Sequence, residues 1–228
     1  MSGEASKTRA IRGPEFEKRF LGGRVIDIGC GPDLVVPHAE AFDLQHGDAQ
    51  RIASQRPIGA YDAVHSSHCL EHMRDVPAAL EQWWSLVRPG GYLVLVVPDE
   101  DLYEQGGWPS LFNSDHRATF RLQKAESWSP VSYDVLQLVS GLERAEIMSC
   151  ELQHHGYEPG LRKLRITRVD RLLFRVQHFV AAALRKVGRS AAPLRTACER
   201  LFRLLGTPID QTAGPALAQI QVVARKRP

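Results

Sequence analysis

The richest chemistry in this sequence starts just after Arg24. Val25-Ile26-Asp27-Ile28-Gly29-Cys30-Gly31-Pro32 is a β-branched apolar run that carries an acid and ends in a turn with two glycines. Such a run suits a strand buried on both faces of a parallel sheet. Gly29 and Gly31 leave the backbone uncovered, so a ligand can lie against it at the carboxyl end of the strand, where open α/β sheets bind nucleotides. Two further acids, Asp43 and Asp48, sit beside turns, and His68, His72 and His116 follow, the last directly after Asp115. An Asp-His pair can orient an imidazole and stabilise its charged form.

These groups need strands and helices to place them. Pro14–Leu21 reads as a short helix stopped by Gly22-Gly23, and residues 1–12 as a frayed basic arm. Glu40–Asp43 is the expected second strand. The crossover to it, Asp33–Ala39, contains Pro37 and is too short for a full helix. His46–Ala49 marks a turn leading to a short helix or a third-strand segment. Tyr61–Ser67 reads as a central strand and His68–Met73 as the loop after it. Val76, Leu80, Trp83, Trp84 and Val87 recur at helical spacing. Arg88-Pro89-Gly90-Gly91 then turns the chain into Tyr92–Val97, the strongest strand signal. Residues 99–127 form a long polar loop with scattered aromatics, a length usually reserved for function. A helix over 132–142, a strand over 144–153 and a last strand over 216–224 complete the order.

Between those last two strands lies an insert, residues 155–212. Val169, Leu172, Leu173, Val176, Phe179, Val180, Ala183 and Leu184 repeat at helical spacing, Gly188–Pro193 interrupts them, and Leu194, Ala197, Leu201 and Leu204 resume. This predicts a helical hairpin. Trp83, Trp84, Phe174 and Phe179 are assigned to core and rim rather than to a base-stacking platform.

The 228 residues carry a net charge of +3, and that average hides a segregation. Residues 1–154 hold a net −8, residues 155–212 a net +8 and the remainder +3. An acidic body is joined to a basic insert, which speaks to partners rather than to fold. Nucleic acid is an unlikely partner, since the aromatics are not interleaved with the insert's charges. Cys30, Cys69, Cys150 and Cys198 are widely spaced with no metal-ligand pattern, which points to reduced thiols and a cytoplasmic setting. No secretory leader is visible in the polar first two dozen residues, and no apolar run is long enough to span a bilayer.

In this order the motifs resemble the class I S-adenosylmethionine-dependent methyltransferases of the small-molecule type (methyltransferase type 11-like). The matching residues are Val25–Gly31, Asp43, Gly47-Asp48-Ala49, Tyr61-Asp62-Ala63-Val64 leading to Leu70-Glu71-His72, and Leu86–Tyr92. The resemblance implies a Rossmann-like α/β three-layer sandwich over residues 1–228. Its sheet would have seven mostly parallel strands with an antiparallel last strand, and the basic hairpin would be inserted before that strand. It implies S-adenosyl-L-methionine as cofactor. Asp27 would belong to its site, backbone groups at Gly29 and Gly31 would flank its methionine portion, Asp43 would meet its ribose hydroxyls and Asp48 its adenine amino group. The Ala49 amide would lie near the ring, and the Ser66 backbone would hold the amino group. Pro32 replaces the family's third glycine. The short crossover leaves Glu40 as the fallback for Asp43.

Methyl transfer from a sulfonium needs alignment more than activation, so no metal and no covalent enzyme intermediate are expected. The expected acceptor is a small molecule, first a hydroxyl of a sugar or of a glycan or secondary-metabolite precursor. A hydroxyl calls for a general base. His116 is the first candidate and His68 the second, while His72 is assigned a capping or packing role. A lipid or quinone-like acceptor at the membrane surface is an alternative, and so is a catalytically silent methyltransferase-like binding module. For the insert, three readings stand open: solvated packing, contact with an anionic substrate, and peripheral contact with the inner membrane face.

Overall fold

The computed structural model describes residues 3–188 and 192–228. The central sheet runs β2 (Glu40–Phe42), β1 (Val25–Ile28), β3 (Tyr61–Ser67), β4 (Val87–Pro98), β8 (Gln219–Lys226), β7 (Ala145–Gln153). The first four are parallel, and β8 is antiparallel to both its neighbours. A separate parallel pair joins β5 (Thr119–Arg121) to β6 (Ser132–Asp134).

The main sheet has six strands, not the expected seven. Residues 44–54 form two 3-10 turns instead of an edge strand. Asp43 accepts from the Leu44 amide at 2.7 Å and Asp48 from the Gln50 amide at 2.9 Å, side-chain caps that compete with sheet pairing. The crossover from β1 to β2 holds no helix, as its length requires.

Alternation along each strand divides the side chains between two layers. Ile26, Ile28, Val64, Leu93, Leu95, Ile220 and Val222 face one side, against α3 (Val76–Leu86) and α4 (Val135–Ser140). Trp83 is fully buried there and its indole donates to the Ala49 carbonyl at 2.9 Å. The opposite face packs Val25, Ala63, Val94 and Val223 against α2 (Pro14–Phe20) and residues 35–39.

That second face is partly polar, and here the first residues depart from expectation. They are not a frayed arm. Glu4–Ile11 forms helix α1, with Thr8 fully buried. The Gln219 amide donates to Thr8 Oγ1 at 2.9 Å, Arg12 Nε donates to Gln221 Oε1 at 2.8 Å, and Lys7 donates to the Thr212 carbonyl. Polar residues on β8 thus recruit a polar helix, a contact that hydrophobic periodicity does not reveal.

The insert forms the two expected helices, α5 (Arg168–Val187) and α6 (Ala192–Leu204), and part of the break between them lies outside the described residues. Thr167 and Asp170 form a reciprocal capping box at the start of α5. Phe174 is half-buried and meets Phe112 edge-on at 5.6 Å. Phe179 is neither core nor rim, being 76 % exposed. The helix buries a different face, and no described residue covers this one.

Candidate active site

The glycine turn leaves β1 with Gly29 at φ +74° and Gly31 at φ +53°, conformations that other residues rarely adopt. A Cβ on Gly29 would lie 2.6 Å from Cys69 Sγ, whereas one on Gly31 would meet nothing nearer than Asp43 Oδ2 at 4.0 Å. Gly29 therefore packs against the loop after β3, and Gly31 borders open space. The Gly31 amide donates to Asp43 Oδ2 at 2.8 Å, tying the turn to the end of β2.

Asp27 lies beneath this turn with both oxygens engaged. His65 Nδ1 lies 2.6 Å from Oδ1, and the Val35 amide donates to Oδ2 at 2.7 Å. Burial pushes the His65 pKa down against the pull of Asp27, so the ring is neutral and donates its Nδ1 proton to the carboxylate. The structure thus places Asp27 as the support of the turn. Ser66 is also inward-facing, its hydroxyl donating to the Ile28 carbonyl at 3.0 Å.

Two clefts meet at Gly29 and His68. One, of about 190 Å³, is lined by Phe42, Asp43, Leu44, Asp48, Ala49 and Met73 among others, so three of the predicted residues share one wall. The other, of about 180 Å³, runs past Gly31 to Ser67 and Asp33 and is closed by Gly3, Glu4 and Ala5 of the N-terminal segment. Sequence reasoning missed Ser67, whose buried hydroxyl has no hydrogen-bond partner, and missed α1 as a wall. Strand alternation from Ser66 was the available signal for Ser67. A groove of about 400 Å³ between α3 and α4 is lined by Glu81, Arg121, Tyr133 and Asp134 and holds none of the site residues the sequence singles out.

His68 adopts φ +51° and lines both clefts. Its Nε2 lies 3.1 Å from Gln219 Oε1. Gln219 Nε2 already donates to Thr8 and to Gln153, which fixes Oε1 as an acceptor. His68 therefore carries its proton on Nε2, and Nδ1 is free, 3.6 Å from Glu71 Oε1.

His116 stands behind this wall, 7 % exposed, with Nδ1 2.6 Å from Glu104 Oε1 and Nε2 3.9 Å from Glu71 Oε1. Burial lowers its pKa, but the Glu104 hydrogen bond and the Glu71 charge more than offset this and hold it above the ordinary value. The sequence suggested Asp115 as its partner. That residue instead faces His72, whose Nδ1 lies 3.2 Å from the Asp115 carbonyl and 3.1 Å from its carboxylate. The Arg117 and Ala118 amides donate to the Glu71 carbonyl at 2.7 and 3.2 Å, which brings the 99–127 loop onto the loop after β3.

The chain matches the family described as "Methyltransferase domain" over residues 7–132, more than half its length. An uncharacterized methyltransferase of Mycobacterium tuberculosis (strain ATCC 25618 / H37Rv) is 27 % identical over 110 residues, a match that covers 37 % of this chain. The chain spans about half the length of the curated relatives it matches, 55 %. Among solved structures, YcgJ of Bacillus subtilis superposes with a TM-score of 0.53 at 13 % identity, covering 99 % of this chain and 100 % of that one. A SAM-dependent methyltransferase from Archaeoglobus fulgidus gives a TM-score of 0.50 at 18 % identity, with 98 % and 94 % covered. At these identities the superpositions speak for the fold, and the sequence match carries the family. The chain belongs to the methyltransferase domain family.

Proposed function

We propose that this chain transfers the methyl group of S-adenosylmethionine to an oxygen of a small-molecule acceptor, first a hydroxyl of a sugar or of a glycan or secondary-metabolite precursor. The observation that carries this reading is the meeting of the two clefts at Gly29 and His68. The residues there fit the cofactor. Leu44, Ala49 and Met73 offer apolar surface for a purine, with Asp43 and Asp48 at its polar edges. The unpartnered Ser67 hydroxyl and the bare backbone of Gly31 suit an amino-acid end.

When bound, the sulfonium supplies a methyl group already activated for transfer. What remains for the protein is to align the acceptor and to take its proton. His68 lines both clefts, and the Gln219–Thr8 chain holds it in the tautomer that leaves Nδ1 able to accept a proton. His116, the other candidate, does not line the cleft and stands one residue behind it, against His72. We assign the proton to His68.

Calorimetry with S-adenosylmethionine and S-adenosylhomocysteine tests the cofactor, and both are expected to bind and to raise the melting temperature. Absence of heat and of a thermal shift with either would leave only a silent binding module. With an acceptor in hand, His68→Gln should cut turnover by about a hundredfold while cofactor affinity changes little.

A second reading concerns where the acceptor lies. Val169, Leu172, Val176 and Phe179 of α5 form one exposed apolar stripe, flanked by Arg168, Arg171 and Arg175. Such a face suits an anionic lipid surface, and with it a lipid or quinone-like acceptor. No helix among the described residues is long and apolar enough to cross a membrane.

A further inference from the structure

The loop after β3 and the 99–127 loop bring together a set of donor atoms that methyl transfer does not require. Glu71 is fully buried, and neither of its carboxylate oxygens has a hydrogen-bond partner. Oε1 is faced by His68 Nδ1 at 3.6 Å, by His116 Nε2 at 3.9 Å and by His72 Nε2 at 4.0 Å. One donor atom from each of Glu71, His72 and His116 lies within 4.8 Å of the other two.

The protons on these rings are placed by their outer partners. His116 gives its Nδ1 hydrogen to Glu104, and His72 gives its own to the Asp115 carbonyl. Each ring thus turns its Nε2 toward the Glu71 carboxylate, where a cation would displace any proton held there and take the lone pair. This is the arrangement in which an outer carboxylate or carbonyl orients a metal-binding histidine. Glu104 Oε2 is likewise buried without a partner, so two carboxylates share this interior with no arginine or lysine among the described residues paired to either. Lone pairs and negative charge converge here, and buried charge of one sign is costly until it is balanced.

We propose that Glu71, His72 and His116 bind a divalent first-row transition cation, with zinc the best match, beside the cofactor cleft. Two imidazoles and one carboxylate form a nitrogen-rich set that suits zinc and its neighbours better than magnesium or calcium, which favour oxygen. Tetrahedral zinc places its donors about 3.4 Å apart, so the Glu71 pairs at 3.9 and 4.0 Å must close by roughly half an ångström and the two rings, within 4.8 Å of each other, by at most about 1.4 Å. Three protein ligands leave one position open. His72 lines the cleft, so that position borders the space an acceptor would enter. There the cation would polarise an oxygen as a Lewis acid. The ligand set rests on side-chain chemistry alone, and only this last role depends on the methyl-transfer reading.

The test is metal titration of the purified full chain after chelator treatment. One equivalent of zinc is expected to bind with micromolar affinity or better, and cobalt in its place should give visible absorption bands from mixed nitrogen and oxygen ligation. Glu71→Gln and His72→Gln should each weaken zinc by about a hundredfold or more, and Glu104→Gln, which acts through His116, by roughly 10–100-fold. His72 is the most accessible ligand, its side chain 25 % exposed, so His72→Gln is the variant expected to fold normally. His178→Gln, on the distant insert, should bind as the unaltered chain does. A blank zinc titration would mean that imidazole protonation balances the charge, and would overturn the proposal. So would zinc binding that survives both His72→Gln and Glu71→Gln, or stoichiometric magnesium binding without zinc. Calorimetry with S-adenosylmethionine on the same samples keeps a failure of the metal site distinct from a failure of the cofactor site.

Discussion

Gly29 shows how one residue serves the fold and the site together. Its φ of +74° and the 2.6 Å approach of Cys69 both exclude a side chain. Gly29→Ala should cost on the order of 1–3 kcal/mol in denaturant unfolding and weaken S-adenosylmethionine by at least about tenfold in calorimetry. Asp99 offers a separate test at this scale. Burial pushes its carboxyl from 3.8 up to about 6, with Asp101 and Glu100 adding to the rise and the Leu102 and Asp101 amides opposing it. The folded state therefore holds this proton more tightly than the unfolded one, so stability falls as pH climbs from about 4 to 6 and stays reduced above. Asn keeps the oxygen that accepts from those two amides. Asp99→Asn should remove that slope and gain on the order of 1–3 kcal/mol at pH 7 but nothing at pH 3.5, as pH-dependent melts would show. Gly29, Asp43 and Asp48 were legible because a turn and its caps are local. Glu71 and His116 were not legible as a pair, since 45 positions separate them and the contacts that join their loops, the backbone latch at Arg117 and Ala118 and the His72–Asp115 pair, form only in the folded chain.

The elements were read best where apolar periodicity is strong. Strands β1 and β3 and helix α3 fall where the run of buried residues puts them, β4 starts at Val87 and takes in the stretch expected to be a turn before Tyr92, and β8 and both insert helices lie within a few residues of expectation. Helix α1 was missed because it docks through polar atoms, and the missing seventh strand because side-chain caps at Asp43 and Asp48 divert the backbone. The polar docking of α1 reaches the site. Thr8 Oγ1 holds the Gln219 amide, whose other end receives the His68 proton. Thr8→Val preserves shape but leaves one amide hydrogen without its acceptor, at a cost of about 1–3 kcal/mol. Gln219 can then turn, and His68 loses its fixed tautomer. Turnover should fall with cofactor affinity nearly unchanged, and Thr8→Ser should restore it. A purely structural role would lower stability in Thr8→Val without that loss of turnover.

On the scale of the whole molecule, the charge segregation read from the sequence becomes a spatial one. The acidic body holds the clefts, and the basic insert projects a hairpin whose apolar stripe no described residue covers. Leu172 is 61 % exposed and Phe179 76 % exposed, three and ten residues into α5 from Val169, so both point the same way. Arginines beside them can extend their stems along such a stripe and leave their charge at a headgroup. If the stripe meets lipid, the chain should sediment with vesicles of phosphatidylcholine and phosphatidylserine at low salt. It should release from them as salt rises, because each basic residue contributes about 1 kcal/mol only within a Debye length. The double variant Leu172→Glu, Phe179→Glu touches only exposed positions, so its melting temperature should stay close to the parent's. Its vesicle binding should drop by at least about tenfold, since it loses two apolar contacts and gains two charges repelled by the surface. Binding that persists in this variant would assign the hairpin to solvated packing and leave the acceptor in solution. Binding that vanishes while methyl transfer to a water-soluble acceptor continues would separate where the enzyme sits from what it methylates.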